Sequence, residues 1–258
     1  MDNLSINPHD YTASAFKKRG YVLLRGVLDS SEIQALRIFL EQSLDPLVGP
    51  AEFEADVGYP GAPQSRDVVG GMTPRRLLHA YSRSPALQRL ALHPQVAAMV
   101  TMLFGGKGRL SQCHHNCVMT KHPGFSSATL WHQDIRYWSF DQPELISAWY
   151  ALGDENQING SLKVIPGSHS IDFDRGRLDR DLFLRPELPI NADLIDQAVN
   201  VELNAGDVLL FHCRLLHAAG HNRSARVKLS PVFTYHRHDN KPIPGTRSAS
   251  LPSITLPT

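Results

Sequence analysis

The chain has 258 residues, of which 42% are hydrophobic and 20% charged, with 26 lysines and arginines against 25 acidic residues. That near-zero balance excludes a dedicated nucleic-acid binder, and the apolar content excludes a disordered chain. Three cysteines (Cys113, Cys117, Cys213) are too few for a disulfide framework, no apolar run is long enough to span a membrane, and the polar start MDNLSINPHD does not read as a signal peptide, so a cytoplasmic globular protein is expected.

The first element is a strand from Tyr21-Val22-Leu23-Leu24 through Gly26 to Val27-Leu28. Asp29 with Glu32 three residues on forms a capping-box pattern, and Ile33, Leu36 and Leu40 continue it as a helix over about 31–44. Residues 45–76 are rich in proline and glycine and read as irregular. Further helices are expected from Ser84 to Leu92 and from Pro94 to Leu103, the latter stopped by Gly105-Gly106. After Gly108 the texture turns to strands: 109–121, Leu130–Tyr137, Glu144–Leu152, Ser161–Ile165, Val208–His212 and Val227–Tyr235, with turns at Asn159-Gly160 and Pro166-Gly167-Ser168. The tail from Arg237 is proline-rich and aperiodic. Together these predict one domain over 1–258: helical support over 10–107, a mainly β jelly-roll or barrel core at about 108–236, and a loose tail over 237–258.

Thirteen histidines stand out, and most read as surface, turn or capping residues: His9, His79, His93, His122, His169, and His236 and His238 where the last strand frays. The exception is His132-Gln133-Asp134. On a strand, residues two apart point to one face, so this pair supplies an imidazole and a carboxylate side by side, two-thirds of a facial triad for iron. A distant strand must supply the second histidine, and His212, His217 and His221 are the candidates. Position after the Val208–Phe211 strand and before Gly220 favours His217, with His212 structural and His221 in a loop. A structural zinc site would be closed by a fourth ligand, usually cysteine, and the cysteine spacing here supplies none.

His132-Gln133-Asp134, Asn159-Gly160-Ser161-Leu162, Pro166-Gly167-Ser168-His169, Gly206-Asp207, Phe211-His212, His217 and Asn222 resemble, in order and spacing, the phytanoyl-CoA dioxygenase (PhyH) family of Fe(II)- and 2-oxoglutarate-dependent oxygenases. The resemblance runs from about Tyr21 to Tyr235 and implies a double-stranded β-helix, a cupin-like jelly roll. It implies His132, Asp134 and His217 as iron ligands. The retained Asp134 carboxylate points to hydroxylation, because halogenases of this kind replace it with a small residue. The cofactors implied are Fe(II), 2-oxoglutarate and O2, with ascorbate as an accessory reductant. Where the family usually has an arginine for the far carboxylate of 2-oxoglutarate, this chain has Lys228, with Arg226 as the rival; a lysine binds as a point charge and lacks the guanidinium fork. Trp149, His115, Asn116 and Lys121 are further candidates for the co-substrate.

Substrate candidates are Arg136, Tyr137 and Trp138 beside the metal pair, with Tyr137 and Trp138 on opposite faces if the strand continues. The 45–76 loop, with Tyr59, Arg66, Arg75 and Arg76, is long enough for a lid or substrate wall. Arginines there suit an anionic small molecule or glycolipid, one candidate being 3-hydroxylation of a Kdo-type acidic sugar of lipopolysaccharide. No nucleic acid is expected, and the oligomeric state is left open. The competing readings are a non-catalytic cupin-like metal- or sugar-binding module, which has no reason to bind 2-oxoglutarate, and a zinc hydrolase, which lacks an obvious general base.

Overall fold

The computed structural model describes residues 8–257. Its strands are β1 (Tyr21–Leu24), β2 (Ala51–Phe53), β3 (Pro74–Leu78), β4 (Gly108–Ser111), β5 (Cys117–Lys121), β6 (Thr129–His132), β7 (Leu145–Tyr150), β8 (Leu162–Val164), β9 (Val199–Asn200), β10 (Val208–His212), β11 (His217–Ala219), β12 (Lys228–Arg237) and β13 (Ile254–Thr255). The helices are α1 (Pro8–Arg19), α2 (Ser30–Leu44), α3 (Ala80–Arg83), α4 (Pro85–Ala91), α5 (Pro94–Phe104) and α6 (Pro189–Ile195).

Two antiparallel sheets make the jelly roll. The larger runs β1-β10-β7-β12-β5-β3-β2, with β4 on β12 and β13 on β4; the smaller runs β6-β11-β8-β9. Period-2 alternation decides what each face of the large sheet does. Ile146, Ala148, Tyr150, Val208, Leu210, Leu229 and Phe233 face the helical layer, packing with Leu36, Leu40 and Val100. Their neighbours Trp149, Leu209, Phe211 and Val232 face the small sheet, against Leu162, Val164 and Ala219. His132, Asp134 and His217 line a cavity between the sheets. Pro231 is tolerated in the long β12 because the ladder to β7 begins one residue later, at Val232, so the proline sits where that edge makes no register pair.

The predicted capping box is present: the Asp29 carboxylate accepts from the Ser31 and Glu32 backbone N–H groups, and the Glu32 carboxylate accepts from the Asp29 N–H. Four expectations are corrected. The 109–121 strand is two, β4 and β5, broken by residues 112–116. The Leu130–Tyr137 strand stops at His132 and gives way to a 3-10 turn at Asp134–Tyr137. The 45–76 segment carries β2 and most of its length before β3, whose Arg75 and Arg76 are sheet residues. Finally, the 237–258 tail is pinned rather than loose: β13 pairs β4, Leu256 is buried, and Ser248 Oγ bonds His114 Nε2 and the Ser139 N–H. That docking also keeps His236 buried, bonded to Ser253 Oγ and the Asn240 carbonyl, so β12 does not fray there.

The Asn159-Gly160 turn that approaches β11 requires glycine. Gly160 has φ of 73°, and a Cβ there would lie 2.5 Å from the Gly220 carbonyl oxygen. Gly160→Ala should therefore lower unfolding stability by about 1–3 kcal/mol in urea denaturation, with an unchanged m-value.

Candidate metal centre

His132 ends β6 and His217 begins β11, and the two are direct cross-strand partners, with ring centroids 4.2 Å apart. Asp134 opens the 3-10 turn after β6, so turn geometry, and not the strand alternation expected above, swings its carboxylate to the imidazoles. Its Oδ1 lies 3.6 Å from His132 Nε2 and 3.5 Å from His217 Nε2. One donor atom from each residue lies within 4.8 Å of the others, and among the described residues this is the one such His/Cys/Asp/Glu group.

The protonation pattern is that of a ligand set. His132 Nδ1 bonds the Leu130 carbonyl at 2.8 Å and His217 Nδ1 bonds the Leu215 carbonyl at 2.9 Å. A carbonyl only accepts, so both Nδ1 atoms carry the proton and both Nε2 lone pairs face Asp134. Burial, and then His132, push His217 down to about 4, keeping the imidazole neutral, the form that ligates a metal. Burial alone would raise Asp134; His115, by its charge and by the hydrogen bond it donates, outweighs that and holds the carboxyl well below its usual range. Two neutral imidazoles and one carboxylate with no cysteine suit Fe(II), and three ligands leave positions for other donors.

Around the triad, the predicted residues divide. His115 donates from Nε2 to Asp134 Oδ1 at 2.8 Å, orienting that carboxylate; its backbone is left-handed, with φ of 40°, and its ring packs edge-on against Trp138. Trp149, Lys121 and Lys228 are buried and line a cavity of about 620 Å³ that opens beside the triad. Three expectations fail. Arg226 is exposed and outside the cavity, in the turn before β12, where its carbonyl accepts from Asn222 Nδ2. Asn116 holds the backbone instead: its Oδ1 accepts from the Tyr81 N–H and its Nδ2 donates to the Gln112 carbonyl. Arg66 is a surface residue in an ion pair with Asp56.

Arg75 and Arg76 reach the cavity wall already matched. Arg76 is bidentate to Glu52, while Arg75 lies 3.5 Å from Glu52 and 3.7 Å from Glu54 and bonds Ser127 and Thr129. Arg136 is different. Its guanidinium carbon lies 3.5 Å from the centroid of the Phe183 ring and 4.3 Å from that of Tyr137, and its buried Nε and Nη1 have no partner. Trp138 is buried against His114 and His115, and Tyr137, at the solvent end, meets the Tyr59 hydroxyl at 3.3 Å. Sequence reasoning missed Phe183, Glu54 and Glu155; Tyr59 was visible as an aromatic in the loop.

A family model described as phytanoyl-CoA dioxygenase (PhyH) matches residues 16–230. Ectoine dioxygenase of Halomonas elongata is 26% identical over 243 residues, covering 88% of this chain and 69% of that protein. A probable phytanoyl-CoA dioxygenase of Caenorhabditis elegans is 24% identical over 221 residues, 81% of this chain and 69% of its own length. The solved structure of SnoN, a non-heme alpha-ketoglutarate-dependent epimerase from nogalamycin biosynthesis, superposes with a TM-score of 0.71 at 25% identity, covering 92% of this chain and 87% of that one. EctD from S. alaskensis with 2-oxoglutarate and 5-hydroxyectoine gives 0.70 at 21% identity over 100% of this chain and 87% of its own, a likeness of fold.

Proposed function

The chain belongs to the phytanoyl-CoA dioxygenase family, and on that premise we propose that it hydroxylates an unactivated C–H bond of a small anionic substrate, with His132, Asp134 and His217 holding the iron. As a member of this family it is an iron- and 2-oxoglutarate-dependent oxygenase. The observation that carries the ligand assignment is the pair of Nδ1-to-carbonyl bonds, which aim both Nε2 atoms at one carboxylate. An iron held there supplies oxygen activation coupled to oxidation of 2-oxoglutarate, chemistry that no side chain provides. The protein's own part is to orient, to exclude water and to neutralise charge.

Each part has its residues. His115 keeps the Asp134 carboxylate turned to the imidazoles. Lys121 and Lys228 put N–H donors at the buried end of the cavity, positioned to receive the far carboxylate of 2-oxoglutarate. At the solvent end, Arg136 presents unpartnered N–H donors from between two aromatic faces, an arrangement suited to a carboxylate or phosphate on the substrate. No residue of the cavity selects a Kdo-type sugar over other small anions, so acidic sugars are one arm of the substrate panel and amino acid derivatives another.

Two measurements test this reading. Anaerobic addition of Fe(II) and then 2-oxoglutarate should produce a weak visible charge-transfer band; bound iron with no band would favour the non-catalytic metal-binding module instead. Succinate release should then be screened over the anionic panel. With the substrate in hand, Arg136→Leu should raise its KM at least about tenfold with a smaller effect on kcat. Equal losses in KM for charged and uncharged substrates would sink the anion role of Arg136.

A further inference from the structure

The buried end of the cavity carries a charge arrangement unlike a single anion-binding cation. Lys121 on β5 and Lys228 on β12 are direct cross-strand partners, and both ammonium groups are buried there. Lys228 is already matched: its Nζ lies 2.8 Å from Glu155 Oε2, in a pair whose side chains are 6% and 1% exposed. The Glu155 carboxylate is saturated, accepting in addition from Trp149 Nε1 at 3.0 and 3.1 Å and from Ser230 Oγ at 2.6 Å. Lys121 Nζ has one bond, to the Ser127 carbonyl at 2.7 Å, and no carboxylate of the described residues stands within ion-pair distance of it.

We propose that Glu155 sets the co-substrate selectivity of this cavity: by cancelling the charge on Lys228, it leaves Lys121 as the cation that meets the far carboxylate of a 2-oxo diacid. The inference rests on the reading of the cavity as the 2-oxoglutarate site. A guanidinium brings charge and a two-pronged hydrogen bond in one residue. Here the two are divided. Lys228, held by Glu155 and Ser230 and lying 4.8 Å from the Trp149 ring centroid, has a remaining hydrogen to share, while Lys121 brings the uncompensated charge.

The groups facing Lys121 are Lys228 and Glu155 from one side, and Arg75 on β3 with Glu54 from the other. Burial, then Lys228 and Arg75, bring Lys121 down to about 7, with Glu54 and Glu155 opposing. Seating a carboxylate against it favours the charged form, so diacid binding draws in a proton wherever free Lys121 is neutral. Affinity for the diacid is then greatest well below pH 7 and falls as pH rises through it.

The test is equilibrium calorimetry on Mn(II)-loaded protein, which needs no turnover, with 2-oxoglutarate and 2-oxopentanoate, the analogue whose far end is a methyl group. Wild type should prefer 2-oxoglutarate, and lose about fivefold of that affinity between about pH 7 and pH 8 with proton uptake, while 2-oxopentanoate shows neither effect. Lys121→Met should reduce the preference to within about threefold, and Glu155→Gln should strengthen 2-oxoglutarate by about tenfold below neutral pH while leaving 2-oxopentanoate within about threefold. An intact preference in Lys121→Met, or equal weakening of both acids in Glu155→Gln, overturns the proposal. If Glu155→Gln does not fold, Lys121→Met, which breaks no ion pair, decides alone. Wild-type protein that holds Mn(II) and binds neither acid would overturn the co-substrate reading of the cavity itself, a different failure.

Discussion

Asp134→Ala should abolish measurable turnover, a loss of at least about 1,000-fold, and leave iron affinity too weak to survive gel filtration, while the circular dichroism spectrum stays that of the wild type. The three effects come from one geometry. Asp134 is wholly buried, and its Oδ1 is the point at which His115, His132 and His217 converge. Removing it takes away the anionic ligand and leaves two neutral nitrogens, a set that holds a divalent ion far less firmly. The fold survives because the carboxylate contacts polar groups of the cavity and no part of the apolar clusters between sheets and helices. His115→Gln should be milder, about 10- to 100-fold in iron affinity, since it touches the ligand and not the metal. Iron retained by Asp134→Ala at wild-type affinity would remove Asp134 from the ligand set, and a residue elsewhere would have to replace it.

The triad was legible because its parts are local or strand-linked. His132 and Asp134 are two residues apart, and His217 follows the apolar run Val208–Phe211 that can only be a buried strand. The three residues come together although the local geometry differs from the expected strand: the chain turns at Asp134, and the turn brings the carboxylate to the imidazoles. Glu155 was illegible for the opposite reason. It lies in a polar stretch before the Asn159-Gly160 turn, where an acid reads as surface, and its partner Lys228 is 73 residues away. Only closure of the sheet shows that the two meet. The tail misled similarly, since a proline-rich segment without periodicity carries no strand signal, yet Ser248, Ser253 and Leu256 find partners on β4, β12 and the 112–116 segment. Nor does α1 announce itself: among its described side chains only Phe16 is buried, too sparse a pattern for the period of a helix to emerge.

Lys228→Met should cost the fold about 3–5 kcal/mol, far more than a conservative change of volume on a strand. Methionine matches the lysine stem but leaves the Glu155 carboxylate 1% exposed with only Trp149 Nε1 and Ser230 Oγ to answer a full charge. The loss is that of a buried charge left without its partner. Glu155→Gln in the same chain should recover most of that stability, because the amide keeps an acceptor for Trp149 and Ser230 and carries no charge. Denaturant unfolding of the two single variants and the double variant closes a cycle whose coupling term should exceed about 2 kcal/mol. A coupling near zero would mean that Lys228 and Glu155 do not pair in solution. In that case the charge of Lys228 would be free for the co-substrate, and a lysine would stand alone where the family resemblance places an arginine.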